Sequence, residues 1–150
     1  MARTWLQIEV ELVAGRGEYL WPRPGRVLIA QRGWTFHMLA DAINQAFGRW
    51  DLSHLHAFTM ADGSRIGIAD PWDEMGLEDD TRATLSRLSL GEAFAFTFDF
   101  GDDWDHICRV APMKVDPEEV AGIVPTRPIP VFGWGQLPDQ HGRTLSEDDG

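Results

Sequence analysis

A single cysteine, Cys108, in a chain of 150 residues rules out an internal disulfide and a cysteine zinc site and accords with a reducing compartment. It reads as a thiol packed on a strand. No run of about 18 apolar residues is present for a membrane span, and the opening Met1-Ala2-Arg3-Thr4-Trp5-Leu6-Gln7-Ile8-Glu9 lacks the basic start and apolar block of a signal peptide. The expectation is a cytoplasmic protein with no membrane association. Basic charge is scarce over most of the length. Positions 51–150 carry seven basic and twenty acidic residues, a balance of −13, against six arginines and four acids, or +2, in positions 1–50. Affinity for nucleic acid comes largely from neutralising phosphates, so this acidic body argues against DNA or RNA as principal ligand. Arg16, Arg23, Arg26 and Arg32 are the residues left to meet an anion.

Several catalytic signatures are missing as well. There is no P-loop, dinucleotide fingerprint, Gly-x-Ser-x-Gly elbow, His-Glu-x-x-His helix or EF-hand pattern. Asp99-Phe100-Gly101 spells a kinase triplet, but no Gly-rich loop, strand lysine or His-Arg-Asp loop accompanies it. Common nucleotide and serine-hydrolase chemistries lose support.

What is present suits one core. Apolar residues make up 43% of the chain, and seven Trp with eight Phe place much of the burial in large rings. A single α+β domain over residues 1–143 is expected, a largely antiparallel sheet with helices packed on it, followed by a solvated tail at 144–150. Thr4–Val13 alternates, with Leu6, Ile8, Val10 and Leu12 on one face, and should pair with a short strand at Arg26–Ala30. Thr35 is the expected N-cap of a helix whose Phe36, Leu39, Ala40, Ile43 and Phe47 recur at helical spacing up to Gly48.

The alternation of His54, His56, Phe58 and Met60 predicts a strand over 54–60, closed by the Asp62-Gly63 turn. The stretch 70–80 reads as an acidic connection, and 84–88 as one helical turn. Phe94, Phe96, Phe98 and Phe100 predict one buried face of a hairpin that turns at Gly101-Asp102-Asp103 and returns over Trp104–Val110. Asp99 would then lie opposite that stripe, beside Ala95 and Thr97. Asp116-Pro117-Glu118-Glu119 has the pattern of a short helix start, while 125–142 lacks periodicity and reads as an extended segment pinned by Phe132 and Trp134.

The blocks Ala42-Ile43-Asn44-Gln45-Ala46-Phe47-Gly48, Trp50-Asp51-Leu52-Ser53-His54-Leu55-His56-Ala57-Phe58, Asp70-Pro71-Trp72-Asp73 and Phe98-Asp99-Phe100-Gly101-Asp102-Asp103-Trp104-Asp105-His106 occur in an order that resembles the plasmid pRiA4b open-reading-frame-three-like family. The resemblance covers about Leu6 to Val110, leaving an irregular segment at 112–143, and implies a compact α+β domain with a largely antiparallel sheet. Some members are labelled passengers of insertion sequences with a resolvase-like name, which implies a mobile-element association and a role as accessory factor in transposition or recombination. Many relatives resemble a Cys-containing type at the C-terminus, where this chain has the cysteine-free Ile129-Pro130-Val131-Phe132-Gly133-Trp134-Gly135.

Two constellations are candidates for chemistry. His54 and His56, at i and i+2 of a strand, would point to one side, and with His106 and Asp103 or Asp102 they could bind a divalent metal for a hydrolytic enzyme with Asp99 or Asp103 as base. The plainer alternative is that the imidazoles and the hairpin acids are turn and surface residues, because Asp accepts from turn amides and Gly101 permits positive φ. The second constellation is an aromatic and acidic face including Trp50, Asp99, Asp103 and Trp104 that would meet a protein partner, with no resident cofactor and no catalysis. Trp50, Trp72, Trp104 and Trp134 serve equally well as plugs for the sheet ends. A non-enzymatic binding or accessory module is the leading expectation. The oligomeric state has no signal in the sequence.

Overall fold

The computed structural model describes residues 4–68 and 76–141. Asp70-Pro71-Trp72-Asp73 and the expected tail at 144–150 lie outside the described residues. In chain order the elements are β1 (Trp5–Gly15), β2 (Glu18–Tyr19), β3 (Gly25–Gln31), α1 (Phe36–Ala46), β4 (His56–Thr59), β5 (Arg65–Gly67), β6 (Glu78–Asp79), β7 (Ala93–Phe98), β8 (Trp104–Val110), α2 (Pro117–Ala121) and β9 (Ile129–Trp134), with a 3₁₀ turn at Leu85–Arg87. The strands form one mixed sheet in the order β6-β5-β4-β7-β8-β1-β3-β9, with β2 beside β1, and the two helices make the fold α+β. Among the described residues every strand pairing is antiparallel except β5 with β6.

The core follows from the two periodicities. Leu6, Ile8, Val10 and Leu12 are buried along β1, and Leu6 pairs with Ala30 across β3. Thr35 caps α1 by accepting from the Met38 amide at 3.2 Å, and the apolar stripe of Phe36, Leu39, Ala40 and Ile43 is buried against the sheet. Phe36 meets Phe58 of β4 edge-on at 5.1 Å and Phe94 of β7 at 6.3 Å. Such ring pairs contribute about 0.5–1.5 kcal/mol beyond their buried area. Cys108 is buried in β8, and burial pushes its thiol well above the usual range. No helix among the described residues is long and apolar enough to cross a membrane.

Three local expectations are corrected. The strand expected over 54–60 begins only at His56, because Asp51 Oδ1 accepts from the Ser53 amide at 3.2 Å and its hydroxyl at 2.6 Å, curling the chain ahead of the sheet. His54 therefore leaves the face it was expected to share with His56. The Phe stripe stops at Phe98. Asp99 enters the left-handed region at φ 63, where its Oδ1 accepts from the Gly101 and Asp102 amides, so it does not sit beside Ala95 and Thr97, and Phe100 is only half-buried.

The segment 125–142 contains a strand after all, since β9 pairs with β3 at the sheet edge, its alternation hidden by Pro130 and Gly133. Phe132 is 66% exposed, so it does not pin this segment. Trp134 does: its Nε1 donates to the Arg23 carbonyl at 3.0 Å, and its ring fills the space that a Cβ on Gly25 would need. Arg26 reinforces this join by donating to Trp134 O at 3.0 Å and to Ala46 O at the end of α1 at 3.2 Å.

Candidate functional site

The start of α1, the first residue of β4 and the residue after β6 meet at one place. The amides at a helix start have no partner within the helix, and here Phe36 N donates to Ala83 O and His37 N to Asp80 O, both at 3.0 Å. This docks the 80–83 loop onto α1 and brings three side chains together. Asp80 is 1% exposed, and its Oδ2 lies 2.5 Å from His56 Nε2 and 3.2 Å from His37 Nδ1. Burial acts to raise the Asp80 carboxyl, but the hydrogen bond and charge of His56, then those of His37, outweigh it and hold the group below the ordinary carboxylate range. His56 is buried and His37 half-exposed, with its Nε2 3.7 Å from Asp41 Oδ2 one turn along α1.

A second cluster forms where the C-terminal segment returns. Gln140 is buried: its Oε1 accepts from the Trp50 and Asp51 amides at 3.0 and 3.1 Å, and its Nε2 donates to Asp51 O at 2.7 Å. His141 is thereby set edge-on to Trp50 at 5.0 Å, with its Nε2 3.2 Å from Asp51 Oδ2. His54 Nε2 reaches the same oxygen at 3.1 Å, and His54 Nδ1 faces Asp99 Oδ2 at 3.6 Å. The Ser53 hydroxyl and amide hold the Asp51 carboxyl far below its usual range, opposed slightly by burial and helped by His141 and His54. The ligand atoms of His37, His56 and Asp80, and separately those of Asp51, His54 and His141, lie within 4.8 Å of one another.

His106 belongs to neither cluster. It is buried on β8, its Nδ1 donating to Phe96 O at 2.9 Å, which leaves Nε2 to accept from Arg49 Nη2 at 3.0 Å. Burial, then the Arg49 charge, pushes the imidazole well below its ordinary value. Arg49 is itself buried among the rings of Phe47, Phe98 and Trp104, each 5.5–5.7 Å away, with Asn44 Oδ1 at 3.3 Å. Burial lowers its guanidinium to about 9. The set His54, His56, His106 and Asp103 is therefore not brought together: His56 joins His37, His54 joins His141, His106 faces a cation, and Asp103 is exposed in the hairpin turn at φ 52.

The expected aromatic and acidic face is likewise divided. Trp104 is core, lying over Gly15, and Asp99 is buried, while Trp50 and Asp103 are exposed. Among the described residues the most exposed aromatic rings lie elsewhere: Trp21, 85% exposed, and Tyr19 between β1 and β3, and Phe132 on β9. His37, Asp80, Asp51 and His141 escaped the sequence reading. Asp80 was one acid in an acidic stretch, and no spacing connects position 141 to position 51. The available signal was the presence of two more histidines, His37 and His141, outside the motif blocks.

No curated protein matches the chain. Among solved structures, the crystal structure of a protein of unknown function, MM3350 from Methanosarcina mazei Go1, is similar with a TM-score of 0.68 at 23% identity, covering 89% of this chain and 70% of that one. The likeness extends to the fold. The family model described as plasmid pRiA4b ORF-3-like protein matches residues 5–134, which spans the sheet from β1 to β9 and both helices. The chain belongs to the plasmid pRiA4b ORF-3-like family.

Proposed function

We propose that the protein is a divalent-metal-binding module whose ligands are His37, His56 and Asp80. The observation that carries this reading is the convergence of two imidazole nitrogens on one oxygen of a buried carboxylate. Two imidazoles and a carboxylate suit Zn²⁺ or Fe²⁺. Four-coordinate zinc with bonds of about 2.0–2.1 Å sets neighbouring ligand atoms about 3.3 Å apart. The His37–Asp80 separation of 3.2 Å matches that spacing, and His56 would back away from its 2.5 Å contact by about 0.8 Å.

His37 supports the reading further. Its Nδ1 lies within hydrogen-bond distance of Asp80 Oδ2 at 3.2 Å, and its Nε2 faces the Asp41 carboxylate at 3.7 Å, beyond hydrogen-bond length. An ion on the Asp80 side leaves the other N–H for Asp41, the carboxylate–histidine–metal arrangement common at such sites. Because His37 is half-exposed, the ion would keep positions open to solvent, the condition for activating a bound water in hydrolysis. An acidic surface makes nucleic acid a poor candidate for what it meets.

The test is zinc content of protein purified without an affinity tag and dialysed against Zn²⁺. Bound zinc should fall by one equivalent per chain in His37→Ala and in Asp80→Asn, with circular dichroism confirming that each variant is folded. Unchanged zinc in folded Asp80→Asn and His37→Ala protein would overturn the assignment.

A further inference from the structure

We propose that Asp51, His54 and His141 form a second divalent-cation site, backed by Asp99, and that an ion bound there fastens residues 137–141 to the 49–55 loop. Two of the separations are near those of a coordination sphere: His54 Nε2 and His141 Nε2 lie 3.1 and 3.2 Å from Asp51 Oδ2, close to the roughly 3.3 Å between neighbouring ligands of tetrahedral zinc, and all three ligand atoms lie within 4.8 Å of one another. Asp51 also divides its two oxygens. Oδ1 is taken by the Ser53 amide and hydroxyl, leaving Oδ2 to the imidazoles.

The independent observation is the far side of His54. Its Nδ1 faces Asp99 Oδ2 at 3.6 Å, while Asp99 Oδ1 is fixed by the Gly101 and Asp102 amides. A neutral His54 can give its one N–H to Asp51 at 3.1 Å, while Asp99 at 3.6 Å lies beyond hydrogen-bond length. A cation bound between Nε2 and Asp51 Oδ2 would move that proton to Nδ1, on the side of the Asp99 carboxylate. Carboxylate, imidazole and metal in series is the arrangement that fixes a ligating histidine's tautomer and orientation. Asp99 holds its place in a left-handed conformation uncommon outside glycine, and that turn aims its second oxygen at His54.

The ion would join two parts of the chain far apart in sequence. Gln140 already holds the Trp50 and Asp51 amides, Leu137 packs by Gly48, and His141 lies against Trp50. Adding a bond from His141 to a metal shared with Asp51 and His54 closes this contact at its outer end. The chemical class of ligand is a borderline divalent ion such as Zn²⁺ or Co²⁺, favoured by two imidazoles and one carboxylate.

His141→Phe keeps a ring against Trp50 and removes the ligand nitrogen. Zinc content, the visible spectrum of the Co²⁺-loaded protein, and amide exchange at Trp50 and Asp51 with Zn²⁺ or EDTA would be measured in the full chain. Wild type should bind one more equivalent of zinc than His141→Phe, and Zn²⁺ should slow exchange at those amides in wild type alone. Equal zinc in wild type and His141→Phe overturns the proposal, whether or not the His37 site binds. Exchange that is insensitive to Zn²⁺ overturns it as well. The two sites fail separately: if only this one exists, wild type and His37→Ala each hold one equivalent and His141→Phe none.

Discussion

The interior around Arg49 and the rim that carries Asp80 and Asp51 both use histidine, with opposite electrostatic surroundings. His106 has a backbone carbonyl on one nitrogen and a guanidinium on the other, so it is locked as a neutral acceptor with no lone pair left for a ligand. His37, His56, His54 and His141 instead face carboxylates, which attract either a proton or a metal ion to the space between. Their spacing along the chain does not distinguish these histidines; the charge that the fold sets beside each one does.

The largest effect that would test this contrast is removal of the buried carboxylate. Asp80→Ala leaves two imidazoles without their shared acceptor and should lower unfolding stability by roughly 3 kcal/mol in a urea titration. Asp51→Ala, at the more open rim cluster, should shift the midpoint far less. Equal shifts for the two would break the distinction between a buried cluster and an exposed one.

The next effect is a pH slope from the interior. The folded state holds His106 below its ordinary value, so the unfolded chain takes up a proton near pH 6.5 that the folded chain refuses. Stability from this group is fully present above that value and falls as pH drops toward its folded value, by at most about 1.4 kcal/mol per pH unit. His106→Gln should flatten the slope between pH 7 and 5; an unchanged slope would show that His106 is not its source. Asp80 and Asp51 have the same sign in a lower window, their contribution being lost as pH falls below about 3.9.

The smallest effect concerns the join between the rim and the C-terminal segment. Gln140→Ala removes three hydrogen bonds to residues 50 and 51 and should cost about 1 kcal/mol while speeding amide exchange at Trp50 and Asp51. Exchange no faster than in wild type would mean that the join does not depend on Gln140.

Local patterns decided much of the scaffold. The alternation in Thr4–Val13, the stripe from Phe36 to Phe47 behind a Thr35 cap, and the Phe94-Phe96-Phe98 face were all readable, because each periodicity allows one side to be buried. The Asp116-Pro117 start of α2 was readable for the same local reason, with Asp116 accepting from the Glu118 amide. The expectation of an α+β fold rested on these segments. Where polar side chains capture the backbone, as Asp51 does at Ser53 and Asp99 does at Gly101, the alternation continued on paper while the strand had already ended.

The candidate site was hardly legible, for a different reason. The sequence by itself determined β1 and its partner β3, the helix α1 and the β7–β8 hairpin, and it contained His54, His56 and Asp99 in view. Only the tertiary structure decided that His56 meets an acid 24 positions later and that His54 meets a histidine 87 positions later. Those meetings depend on how the 80–83 loop satisfies the amides at the start of α1 and how Gln140 satisfies those of Trp50 and Asp51. Hydrogen bonding at element ends has no periodicity, so it leaves no trace in the pattern of apolar residues.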